Sequence, residues 1–158
     1  MDTRFLPVNG FLTAPEDGNA PDSFEGLLHC SCGCDAFRVL HSGQVTGKWQ
    51  RLWAANLIKP ADGQPLVIAA RCNACGKAWT LHCTAHDDKG WLLPASPQLE
   101  ELELPRVHDQ PVQLDVWYCW DEDAEQQDGQ YLTTYTLFSL FARADGQSKP
   151  IHICDITC

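Results

Sequence analysis

The chain has 158 residues, 44% of them hydrophobic, with nine cysteines and a formal net charge of −10. That length lets one domain, alone or with a small companion, bury a core without staples, so the cysteines call for a local explanation. Residues 1–79 hold seven acidic and seven basic side chains, whereas residues 80–158 hold fourteen and four; a field of that sign argues against direct DNA or RNA binding, which needs clustered Lys and Arg against phosphate.

Residues 1–25 are rich in Pro, Gly, Asn and Asp and read as an extended N-terminal arm, with Phe5, Leu6, Val8, Phe11 and Leu12 as surface anchors. They contain no apolar run of the secretory kind. No stretch of the chain approaches the ~20 apolar residues that span a bilayer. A cytoplasmic protein with no membrane or nucleic-acid partner is expected. In a reducing compartment cysteines are metal ligands or free thiols before they are disulfides, and an odd count forbids complete pairing. The competing reading is a cysteine-rich secreted domain.

Residues 26–93 change texture. Leu27 and Leu28 lead into His29-Cys30-Ser31-Cys32-Gly33-Cys34. Phe37 to Leu40 predicts a short strand, and His41 to Gly47 a turn. Trp49 to Lys59 has apolar residues at 49, 52, 53 and 57, a spacing suited to a short helix, with a strand as the alternative. Leu66 to Ala70 is a β-prone run ending at Arg71-Cys72-Asn73-Ala74-Cys75-Gly76. Trp79 to Cys83 predicts another strand, Asp87 to Gly90 a turn, and Trp91 to Leu93 closes the segment.

Residues 94–110 form a Pro-rich connector. Within it, Ser96-Pro97 before Gln98 to Leu102 predicts a helix start, with Ser as N-cap and Pro at the first helical position. Residues 111–158 read as an acidic β region with three strands, Leu114–Trp120, Tyr131–Ala142 and Ile151–Cys158. An acidic loop, Asp121 to Gly129, joins the first two. Three strands with one apolar face need a partner layer, and the cysteine-bearing half supplies it as one globular unit.

The cysteines carry the chemistry. Four soft thiolates suit a tetrahedral zinc ion when two tight turns each contribute two. Cys72-Asn-Ala-Cys75-Gly76 has that form, because a glycine after the second cysteine lets backbone N–H groups face the sulfurs. The first turn, Cys30-Ser-Cys32-Gly33, is one residue shorter. His29 with Cys32 would restore the commoner spacing, and Cys34 is a third thiolate within reach. The order of preference is Cys30 with Cys32, then His29 with Cys32, then Cys32 with Cys34. Buried or free cysteines without a metal are the plain alternative.

The pattern Cys-x-Cys-Gly, then Phe37-Arg38-Val39, then a long excursion to Arg71-Cys72-x-x-Cys75-Gly76-x-x-Trp79-x-Leu81 resembles bacterial zinc-ribbon proteins over about residues 27–91. The resemblance implies two metal knuckles above a β-hairpin, a third strand, and a structural metal. It implies no reaction. The short first knuckle and the 39 residues between Cys32 and Cys72 depart from a minimal ribbon. The fold expected is mostly β with little helix: a zinc-ribbon-like small sheet packed with a C-terminal three-stranded antiparallel sheet.

The remaining cysteines and histidines are scattered. His82 or His86 with His152, Cys154 and Cys158 could be imagined as a second metal site; small core hydrophobes are the simpler reading. Glu100/Glu101 and Asp121/Glu122/Asp123 lie in polar runs with no apolar pocket to shift a pKa, which favours a solvated acidic surface. Cys72-x-x-Cys75 lacks the βαβ setting of a redox dithiol.

Three functions follow. The first is a non-enzymatic interaction module with one structural zinc, whose acidic half meets a basic partner protein in an immunity- or antitoxin-like role. Trp117, Tyr118 and Trp120 beside Asp121, Glu122 and Asp123 would form the contact patch. The second is a rubredoxin-like electron carrier with iron in the same site. The third is a metalloenzyme with a second, open site.

Overall fold

The computed structural model of the protein describes residues 23–45, 57–61, 66–83, 86–87, 90–91, 98–107, 109–119 and 137–157. Twelve strands run through them. They are β1 (Ser23–Leu27), β2 (Phe37–His41), β3 (Gln44–Val45), β4 (Ile58–Lys59), β5 (Val67–Cys72) and β6 (Ala78–Cys83), then β7 (His86–Asp87), β8 (Gly90–Trp91), β9 (Glu100–Glu101), β10 (Gln113–Cys119), β11 (Leu137–Arg143) and β12 (Ile151–Thr157). The class is mostly β, and there is no helix among the described residues. Among the described residues no helix is therefore long and apolar enough to cross a membrane.

The strands form two four-stranded antiparallel sheets, in the orders β1-β10-β11-β12 and β6-β5-β2-β9, with small β3-β4 and β7-β8 ribbons. Alternation explains the inner face of the first sheet. Leu114, Val116 and Tyr118 on β10 and Phe138, Leu140 and Ala142 on β11 are all buried, while Trp117 points out and is 36% exposed. The second sheet contributes Phe37, Val39, Ile68, Ala70 and Leu81 to the same continuous core. Each of the larger of these side chains, fully buried, contributes on the order of 2 kcal/mol. Contacts between described residues join the layers directly. The Tyr118 hydroxyl donates to the Leu81 carbonyl at 2.7 Å, and Phe138 stacks on His82 with centroids 5.1 Å apart.

Two bulges break the period of two. Pairing runs Ile68 with His82 and then Ala69 with Thr80, so Leu81 is the extra residue. Likewise Leu140 faces Cys154 and Phe141 faces His152, which leaves Ile153 extra. A bulge turns two successive side chains to one side. That is why Leu81 and His82 are both fully buried, and why Ile153 and Cys154 are too.

Two expectations are corrected, and at one position the strand alternative is the one observed. The C-terminal sheet has four strands, because β1, inside the stretch read partly as an arm, pairs with β10 from Ser23↔Cys119 to Leu27↔Asp115. The helix start before Gln98 gives way to strand β9. Glu100 and Glu101 pair with His41 and Leu40, the Leu102 amide donates to the Val39 carbonyl at 2.8 Å, and both Arg38 and Arg71 hold the Glu101 carboxylate. Tertiary pairing outweighs a weak local signal there. Ile58–Lys59, at the end of the segment spaced for a helix, is strand; residues 49–56 lie outside the described residues, as do the arm up to residue 22, residues 131–136 and the acidic loop.

Candidate metal centre

The loop after β1 and the loop after β5 meet because β2 and β5 are neighbours. Phe37 pairs with Cys72, and the Asn73 amide donates to the Ala36 carbonyl at 2.9 Å. The two loops share one frame. In the first, the Cys30 amide bonds the Cys34 carbonyl and the Gly33 amide bonds the Cys30 carbonyl, each at 2.8 Å. In the second, the Cys72 amide bonds the Lys77 carbonyl at 2.8 Å and the Gly76 amide bonds the Cys72 carbonyl at 3.0 Å. The first frame simply closes with one residue fewer. Gly33 and Gly76 take φ of 89° and 72°, a left-handed backbone that disfavours any side chain.

Each frame aims backbone N–H groups at sulfur. Backbone amides act to lower the thiol pKa in both frames: that of Cys32 on Cys30, that of Cys34 on Cys32, those of Cys75 and Ala74 on Cys72, and that of Lys77 on Cys75. The four sulfurs converge. Cys30 Sγ lies 3.5 Å from Cys75 Sγ, Cys32 Sγ lies 3.6 Å from Cys72 Sγ, and all four sit within 4.8 Å of one another. A tetrahedron with metal–sulfur bonds of about 2.3 Å has edges of about 3.8 Å, so the set matches a single ion. It does not match disulfides, whose sulfurs lie about 2 Å apart. Cys30 and Cys72 are buried and Cys32 and Cys75 are exposed, so the centre has one face in the core and one in solvent.

The electrostatics point the same way. Burial pushes the Cys30 thiol up, but the Cys32 amide and the thiols of Cys75, Cys32 and Cys72 outweigh it and bring it down to about 6. Cys72 moves in the same direction, with burial overcome by the amides of Cys75 and Ala74 and the Cys32 thiol. The Cys34 amide lowers Cys32, yet the thiols of Cys30 and Cys72, burial and the Cys75 thiol prevail and push it up to about 12. Cys75 is also raised, the Lys77 amide being overcome chiefly by Cys30. Two of the four thiols, Cys30 and Cys72, are shifted down and two, Cys32 and Cys75, are shifted up. Crowded like charges cannot all ionise unaided, and a bound cation removes that restraint. The residues therefore fit a thiophilic, tetrahedral ion.

His29 is exposed and outside this group, as is Cys34. The Cys34 sulfur accepts the Ala36 amide at 3.4 Å instead. Among the described residues, the four cysteines are the one such group able to hold a metal. The components of an imagined second site are dispersed: Cys154 is in the core, His82 is buried against Phe138, and His152 stacks on Phe141 at 4.5 Å. The side chains of His86 and Cys158 lie outside the described residues. So do Trp120, Asp121, Glu122 and Asp123 of the partner patch. Trp117 is on the surface, but Tyr118 is inside, because strand alternation places neighbours on opposite faces.

Sequence reasoning missed an ion-pair network on the outer face of the second sheet. Arg38 bonds Glu101 at 2.9 Å and Asp109 at 2.8 Å, and Arg71 bonds Glu101 at 2.7 Å. Beside it lies a cleft of about 200 Å³ between β2 and residues 101–112. It also missed Ser139, Asp155 and His152, which only the β12 bulge and the β11–β12 register bring together. Asp155 stands in the middle, accepting from the Ser139 hydroxyl and bonding His152 Nε2 at 2.9 Å. In this order the histidine bonds the carboxylate and not the hydroxyl, so it is not placed to act as base on the serine.

Comparisons of the chain with protein-family models, with curated proteins and with solved structures found no match.

Proposed function

We propose that the protein binds one zinc ion through Cys30, Cys32, Cys72 and Cys75, and that the ion is structural. The observation that carries this is the sulfur tetrahedron, with edges of 3.5 and 3.6 Å across the two loops. Four protein ligands leave no position for water or substrate, so the ion would hold the fold and catalyse nothing. Its place in the chain suits that role. The first loop carries the chain from β1 in one sheet to β2 in the other, and the second is the β5–β6 turn. A zinc-ribbon reading of β2, β5 and β6 is supported by this pair of matched loops. Elemental analysis of the purified protein should give one zinc per chain. A coloured protein, absorbing visible light through iron–thiolate bonds, would instead favour the electron carrier, and a metal-free one would remove the reading altogether.

The work of the protein then lies elsewhere on its surface. We place it in the acidic second half, as a non-enzymatic cytoplasmic interaction module for a basic protein, in the manner of an immunity or antitoxin factor. The support is charge: fourteen acidic against four basic side chains in residues 80–158; Trp117, in the same half, is exposed. Such a field steers encounter and suppresses wrong partners. Replacing Asp121, Glu122, Asp123 and Glu125 with neutral amides should abolish salt-sensitive capture of a basic partner; unchanged capture would sink the assignment.

A further inference from the structure

We propose that the solvent face of the metal centre, Cys32 and Cys75, is a modification site for hydroperoxides. Reaction there forms two disulfides across the loops, Cys30–Cys75 and Cys32–Cys72, and frees the ion. The inference rests on the metal-binding reading above and adds a chemical response to it. Each short sulfur pair couples one exposed member to one buried member. Cys75 is exposed and Cys30 buried at 3.5 Å; Cys32 is exposed and Cys72 buried at 3.6 Å. That is the arrangement of an attacked thiolate and a resolving thiolate.

The chemistry balances. An exposed sulfur attacks one oxygen of hydrogen peroxide, the O–O bond breaks, and hydroxide leaves and is protonated to water. The sulfur is now a sulfenic acid. The buried partner's sulfur attacks it, the S–O bond breaks, and a second water forms after protonation. Two thiolates, one peroxide and two protons give one disulfide and two waters. Two such events consume all four ligands and leave the cation without donors. Closing each pair from about 3.5 Å to the ~2 Å of a disulfide asks only for side-chain rotation of the order of 1.5 Å. Cys34 stands outside this scheme, with its sulfur engaged by the Ala36 amide.

The test uses the zinc-loaded full chain. Its metal content is measured first, and hydrogen peroxide is then titrated in. Zinc release is followed with a chromophoric chelator, and linkages are mapped by mass spectrometry after alkylation of free thiols. The expected result is one zinc released per two peroxides consumed, with Cys30–Cys75 and Cys32–Cys72 as the major linkages. Cys34→Ser should leave both the release and the map unchanged. Zinc retained under a tenfold excess of peroxide would overturn the proposal while leaving the structural-metal reading intact. So would linkages within a loop or through Cys34. A chain that carries no metal before peroxide is added would overturn both.

Discussion

Replacing Cys30 with Ser tests the ligand assignment most sharply, because Cys30 competes with His29 and Cys34 for one position. Structural zinc sites contribute about 10–16 kcal/mol at neutral pH. Shared over four sulfurs, that is about 2.5–4 kcal/mol each, or a drop in zinc affinity on the order of 10²- to 10³-fold. The sulfur is buried and 3.5 Å from Cys75 Sγ, so no neighbouring group can take its place without moving the loop. Zinc affinity is read by competition with a chromophoric chelator, and stability by urea denaturation with and without excess chelator. With zinc present in excess, the variant should lose about 2.5–4 kcal/mol of folding stability by mass action. In chelator the difference should shrink to about 1 kcal/mol, the residual effect of a hydroxyl in a buried position. Cys34→Ser and His29→Ala should leave affinity unchanged. Wild-type affinity in Cys30→Ser together with a large loss in either control would refute the assignment.

Tyr118→Phe removes the hydroxyl that bonds the Leu81 carbonyl across the two sheets; a loss of about 1–2 kcal/mol in urea denaturation is expected, since the carbonyl is left without its donor. Gly76→Ala forces a side chain into the backbone at φ 72° and should cost about 1 kcal/mol, measurable as a lower chelator-sensitive melting temperature. At high pH the fold should weaken. Burial, then the Asp155 charge, raises the Cys154 thiol from 9.0 to about 12, so above pH 9 the unfolded chain releases a proton that the folded chain keeps. Stability therefore falls by about 1.4 kcal/mol per pH unit up to about pH 12. Burial raises Tyr118 as well, which steepens the fall above pH 10. Cys154→Ala should remove the first component from an alkaline unfolding profile followed by circular dichroism; an unaltered slope would contradict the burial argument.

Period and turn chemistry made much of this legible. Leu114, Val116 and Tyr118 alternate in the sequence and face the core together, and Gly33 and Gly76 mark the two cysteine loops. What was hidden depends on pairing between distant segments. Nothing near Gln98 announces that Arg38 and Arg71 hold Glu101, so a local helix signal looked stronger than it was. Nothing near Ser23 announces its partner Cys119. The bulges at Leu81 and Ile153 defeat a strict alternation, and Cys154 is buried next to Ile153 because of one. The first loop looked irregular because spacing was counted in residues. Counted in backbone hydrogen bonds, it repeats the second.

The crossing from β1 to β2 through the first loop has a kinetic side. The centre ties residues 45 apart in sequence, Cys30 and Cys75. Closing a chain of that length costs about 3 kcal/mol of loop entropy before any strand pair rewards it. An ion captured early by the two loops would lift that cost from the β2–β5 pairing and make a distant contact behave as a local one. Refolding with zinc present would then start at the junction of the two sheets. Refolding without it would begin in the β10–β11–β12 meander and wait for the other sheet to find its register.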